Sequence, residues 1–175
     1  MTVWLDPVAR GVMELEASRR RFLETGGPLF GYSAEGGVVV VGAGGPGPKA
    51  RHRLRSFAPD HGAVDRAITV VHEASQQRYR YLGSWHTHPM GRPSPSSIDV
   101  AAAQAMSEEA SVILPQPLLI IQASRPLLRT YSDSNLRAYR WRDASVGLAL
   151  EKIRVLRSDE RRHEVLSVDW DGLVV

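Results

Sequence analysis

Two histidines two positions apart, His86 and His88, are followed by Pro89, six further residues and then Ser96-Ser97-Ile98-Asp99. On a β-strand, residues i and i+2 project from the same face, so the two imidazoles converge while Trp85 and Thr87 point the other way. A third ligand must come from elsewhere. The seven-residue loop 89–95 is long enough to fold Asp99, in the first turn of the next helix, back onto the histidines. Two imidazoles and a carboxylate bind a divalent metal, and three protein ligands leave a fourth zinc position for water, as catalytic sites require. The chemistry expected is hydrolysis. The chain has no cysteine, so any metal rests on His and carboxylate ligands.

Each piece also has an ordinary structural use. Ser96 with Asp99 reads as a capping box, in which the serine caps the helix and the acid reaches back. Histidines on a strand can simply be half-exposed polar positions. Their coincidence in one short stretch favours the metal.

These residues must be positioned by an α/β scaffold. Asp6-Pro7 opens a first helix, with Val8, Val12 and Leu15 at helical spacing, ending near Arg20. Two apolar runs around Ala34-Glu35-Gly36-Gly37 predict a hairpin with strands near 28–33 and 38–42. Glycines and prolines at 42–48 mark a loop. Residues 51–57 (RHRLRSF) read as a further strand. Pro59-Asp60 opens a second helix carrying Val64, Ile68, Val71 and Tyr79 and expected to reach about Arg80. Residues 81–88 form a strand, and Ser96 to Met106 a helix with Ile98, Ala102 and Met106 on one face. Strands follow at 118–123 and 136–141. From Arg142 onward no clear period is visible, the charged run 157–164 included.

At 175 residues and 43% hydrophobic, the chain suits one domain with its own core. We expect a single domain over 1–175, with 142–175 a less defined extension of it. The net charge is only +3, spread along the chain, which gives little reason to expect nucleic acid. The basic residues are 20 Arg and 2 Lys. The start lacks a basic region followed by a long apolar stretch, and no run of about 18 apolar residues occurs, so neither a signal peptide nor a membrane span is expected. The reading is a cytoplasmic protein.

The pattern at 86–99 resembles the motif of the JAMM family of metallopeptidases, also called MPN or JAB. Leu23-Glu24-Thr25-Gly26-Gly27-Pro28-Leu29-Phe30-Gly31 resembles the upstream element of that family, a glutamate beside Gly-Gly before a strand. With the order of helices and strands, the resemblance covers roughly residues 1–140. It implies an MPN-like fold, a mixed and mostly antiparallel sheet, partly barrel-like, flanked by helices. It also implies one zinc ion per chain held by His86, His88 and Asp99, and the family's best-known members are isopeptidases that remove ubiquitin-like proteins.

A carboxylate must then take the proton of the attacking water and deliver it to the leaving amine. That role is assigned to Glu24. Its rivals Glu14, Glu16 and Glu73 on helices, and Glu35 in the hairpin turn, read as solvated charges. A hydroxyl donor beside the metal would stabilise the oxyanion, and Ser96 fits. Ser84 shares the strand face of the histidines and is a candidate to support the ligands, an ordinary strand serine being the plainer reading. His52, His61, His72 and His163 have no convergent partners in the sequence and read as surface or helix residues.

The similarity is nearest to lone-domain bacterial members found beside ubiquitin-like conjugation enzymes in antiphage operons of the CBASS kind. The substrate implied is a ubiquitin-like protein or its conjugate, with conjugating enzymes as partners. The alternatives are a hydrolase freeing an amino acid or peptide from a sulfur-carrier protein, and a scaffold that has lost catalysis.

Overall fold

The Val38–Val41 run is apolar at every position, and such a strand needs cover on both faces. It has it. Val38 and Val40 pack inward with Val3, Leu5, Leu29 and Trp85, while Val39 and Val41 pack outward with Phe30, Ala67 and Val71.

The computed structural model describes residues 1–109, 116–124 and 131–157. Along the chain run β1 (Thr2–Leu5), α1 (Pro7–Arg19), β2 (Gly26–Ala34), β3 (Gly37–Ala43), β4 (Arg51–His52) and β5 (Phe57–Ala58). Then follow α2 (His61–Ala74), β6 (Arg80–His88), α3 (Ser97–Glu108), β7 (Leu118–Ser124), β8 (Tyr131–Trp141) and β9 (Leu148–Val155). Seven strands close a barrel in the order β1-β3-β2-β6-β7-β8-β9, the last returning to β1. Pairing is antiparallel except at β1–β3, β1–β9 and β6–β7. The expected α/β class with a mostly antiparallel, barrel-like sheet flanked by helices is what forms.

α1 begins where the sequence places it. Asp6 caps it by accepting from Val8 N at 2.8 Å, and Pro7 occupies the first turn, where a missing N–H costs nothing. Its Ala9, Val12 and Met13 join the inner core. α2 covers the outer cluster through Ala67 and Val71. No helix of the described residues is long and apolar enough to cross a membrane.

Several expectations need correction. α2 stops at Ala74, well before Arg80, because Ser75 closes it and Gln76 and Gln77 take left-handed backbone angles of 52° and 65°. Tyr79 still reaches the outer cluster from beyond the helix. Residues 51–57 do not make one strand; Arg51–His52 and Phe57–Ala58 form a small antiparallel hairpin apart from the barrel. The region after Arg142 contains a barrel strand, β9, and β1 precedes the first helix. The predicted apolar face of α3 is not a core face. Ile98 is 59% exposed, and only Ala103 on this helix is buried.

Candidate metal centre

β6 carries the two histidines to the open end of its run. Trp85 and Thr87 are fully buried on the barrel side, as period two requires, while His86 and His88 face outward together. Their Nε2 atoms lie 2.9 Å apart. Asp99 closes the triangle, with Oδ1 at 3.3 Å from His86 Nε2 and Oδ2 at 3.7 Å from His88 Nε2. Ligands at about 2.0–2.1 Å around a tetrahedral zinc stand about 3.3 Å apart, and one ligand atom from each residue can be taken with all three within 4.8 Å of one another, close enough to share an ion. Among the described residues this is the group of His and acidic side chains close enough to share an ion.

The protonation states also suit a cation. Burial pulls the His86 imidazole down to about 4, against the opposing pull of Asp99, so the ring is neutral at neutral pH. His88 Nδ1 lies 2.8 Å from the Arg92 carbonyl, which can only accept. That fixes the proton on Nδ1 and leaves Nε2 free to ligate.

Ser96 and Asp99 do form the capping box, so both readings of that segment hold at once. Asp99 N donates to Ser96 Oγ at 3.3 Å, and Asp99 Oδ2 accepts from Ser96 N at 2.6 Å and from Ser96 Oγ at 2.7 Å. The cap therefore aims the carboxylate, leaving Oδ1 toward His86.

Glu24 sits just before β2, half-buried, and is held through its backbone from two sides. Its N–H donates to Arg53 O at 2.8 Å and its carbonyl lies 2.9 Å from His52 Nδ1. The next residue ties it to the histidine strand: Thr25 N donates to Thr87 Oγ1 at 3.1 Å, and Thr87 N to Thr25 O at 2.8 Å. The Glu24 carboxyl is pushed up to about 7, mostly by burial and further by the charge of Asp99. A carboxylate poised near neutral pH beside a candidate metal site can take and return a proton.

Two residues read from sequence as surface groups are not. His52 is half-buried and holds the Glu24 carbonyl. Glu16 is only 3% exposed; it accepts from Thr25 Oγ1 at 2.9 Å and faces Arg19 and Arg20. Glu14, Glu35, Glu73, His61 and His72 are exposed, as expected, and His163 lies outside the described residues.

The Gly-Gly after Glu24 has a steric cause. A Cβ on Gly26 would stand 2.1 Å from the Trp85 carbonyl oxygen and 2.8 Å from His86 Cβ; one on Gly27 would stand 2.1 Å from the Gly44 carbonyl oxygen. Only glycine lets β2 run this close to the histidine strand. Gly26→Ala is therefore expected to lower stability by about 1–3 kcal/mol, read as a fall in the denaturant midpoint. An unchanged midpoint would show that the two strands can part without cost.

The family model described as prokaryotic homologs of the JAB domain matches residues 9–141. The chain belongs to the prokaryotic JAB family. A relative of this JAB protein in Sinorhizobium fredii (strain NBRC 101917 / NGR234), named "Probable metalloprotease y4qB", is 29% identical over 126 residues, 71% of this chain and 77% of that protein. The solution structure of protein DSY2949 from Desulfitobacterium hafniense superposes with a TM-score of 0.64 at 17% identity, covering 93% of this chain and 99% of that one. That likeness is one of fold.

An open groove of about 590 Å³ runs from His86 and Asp99 of the JAB protein between α2 and α3. Val64 and Ile68 line it from α2, and Ile98, Ala102 and Met106 from α3, which explains why that apolar face of α3 is left uncovered. Ser84 lies in the groove wall near His86 and Asp99, on the shared strand face.

Proposed function

We propose that the protein is a zinc-dependent metallopeptidase that hydrolyses the peptide or isopeptide bond following the C-terminus of a ubiquitin-like protein. The carrying observation is the meeting of His86, His88 and Asp99 at the end of an apolar groove, with the Glu24 carboxyl near enough to Asp99 to feel its charge. The donor set fits zinc, and His86, His88 and Asp99 would hold it. Zinc there would supply a Lewis acid and a water acidified to near neutrality.

The remaining steps belong to the chain. Glu24 accepts the proton of the attacking water and returns it to the leaving nitrogen. Ser96 Oγ, turned from Asp99 Oδ2 toward the scissile carbonyl, donates to the oxyanion; Asp99 keeps its bond from Ser96 N. The groove seats an extended C-terminal tail by its apolar side chains, a mode that orients the carbonyl while reading little sequence. Ser84 supports the histidines from the groove wall.

The family resemblance supports the ubiquitin-like substrate and a setting in the bacterial cytoplasm, beside conjugating enzymes in antiphage defence. Incubating zinc-loaded protein with fusions and isopeptide conjugates of ubiquitin-like proteins tests it, with mass spectrometry of the products. Cleavage directly after the ubiquitin-like C-terminus is expected. If every substrate stays intact, and Glu24→Gln behaves like wild type, the reading is wrong; release of a single amino acid from a sulfur carrier would move it to that substrate.

The proton role of Glu24 also fixes a pH dependence. The base must be ionised, so kcat/KM should rise with pH along an acid limb. In the metal-free protein Glu24 titrates at about 7. A cation among the ligands offsets the Asp99 contribution, so the limb should lie below that value and should vanish from the residual rate of Glu24→Gln.

A further inference from the structure

Away from the groove, the most strongly marked surface is cationic. Arg51, Arg53 and Arg55 alternate along the β4–β5 hairpin with Leu54 in its turn, and all four are exposed. The two backbone bonds that hold Glu24, to Arg53 O and from His52 Nδ1, press this hairpin against the segment after α1. There Arg19, Arg20, Arg21 and Phe22 are exposed, and Lys49 is exposed just before β4. A cavity of about 410 Å³ lies between the two segments, walled by Arg19, Arg20 and His52 over the buried Glu16.

These cations outnumber the chain's net charge of +3, so the positive charge is gathered here and the rest of the chain carries more acidic than basic residues. Glu16 faces Arg19 and Arg20 together, one carboxylate for two guanidinium groups. Arg21, Arg51, Arg53 and Arg55 form no ion pair among the described residues.

We propose that this Arg-rich face docks an acidic surface of the protein being cleaved, a step that rests on the peptidase reading and adds to it where the body of the substrate sits. One observation favours a protein over nucleic acid. Phe22 and Leu54, 48% and 62% exposed, stand among the arginines, and aromatic and Arg side chains together are the composition of protein interfaces. The cations are nearly all Arg, whose fork pairs two-pronged with carboxylates as it does with phosphates.

The test uses the catalytically silenced Glu24→Gln protein, so that binding is read whether or not the peptidase reading survives. The probes are a fluorescent Asp/Glu-rich peptide and a single-stranded DNA of equal charge, compared by anisotropy over a range of salt. The peptide is expected to bind with a salt-dependent affinity that falls at least about tenfold in R51E/R53E/R55E and is largely kept in R51K/R53K/R55K. Zinc content and thermal midpoint check that each variant is folded. Equal binding by the charge-reversed protein would overturn the proposal, and so would DNA binding more tightly than the peptide.

Discussion

Replacing Glu24 with Gln is expected to cut peptidase turnover about 10²–10⁴-fold, the range a positioned general acid-base group supplies, with zinc content unchanged. The substitution keeps shape and removes only the ability to carry the proton. The bonds that hold residue 24 run through its backbone, to Arg53 and His52, so they survive. The loss should appear in kcat with KM near wild type, the signature of an interaction made in the transition state. A stability measurement supplies an independent check. Because burial raises Glu24 to about 7, the folded metal-free protein holds a proton there that the unfolded chain releases at about 4.5. Its contribution is therefore present below that lower value and is lost as pH rises through about 7. The Gln variant should gain in thermal midpoint over wild type across that window. Full activity in Glu24→Gln would remove this residue from the mechanism.

The second large effect concerns the ligands. His88→Ala is expected to lower bound zinc from about one per chain to nearly none after gel filtration, and to abolish activity. Asp99→Asn separates ligation from helix capping. Its side-chain oxygen can still accept from Ser96 N, so α3 should persist by circular dichroism. Losing the carboxylate should weaken zinc binding by more than the 10–100-fold typical of a supporting partner. Zinc retained at wild-type affinity in both variants would mean that the triangle of His86, His88 and Asp99 is not the site.

The meeting of His86, His88 and Asp99 was legible in the sequence because each part follows a local rule: period two for the histidines on β6, and three-residue spacing for the Ser96–Asp99 box. What escaped depends on distant chain segments. His52 reaches the Glu24 carbonyl across 28 positions, and its signal, one histidine in a basic hairpin, points nowhere by itself. Glu16 sits on a helix face that its own neighbours leave ambiguous; Thr25, nine positions on, makes it buried. β9 hides for another reason. Its one buried residue is charged Glu151, paired with Arg142, while Leu150 is 62% exposed, so the alternation is broken in its first half and only Ile153 and Val155 follow it into the core. The early end of α2 uses two glutamines in left-handed conformations, where a glycine or asparagine would have announced the stop.

The parallel pairing of Thr2–Leu5 with Lys152–Val155 carries a consequence for how the molecule is made and handled. β1 can pair with β3 early but finds its other neighbour only in nearly the last described strand, so the barrel stays open until that strand is made, and folding should be slow for this chain length. A fragment trimmed to residues 9–141 would lack both partners and leave β3 and β8 as sticky borders, inviting self-association.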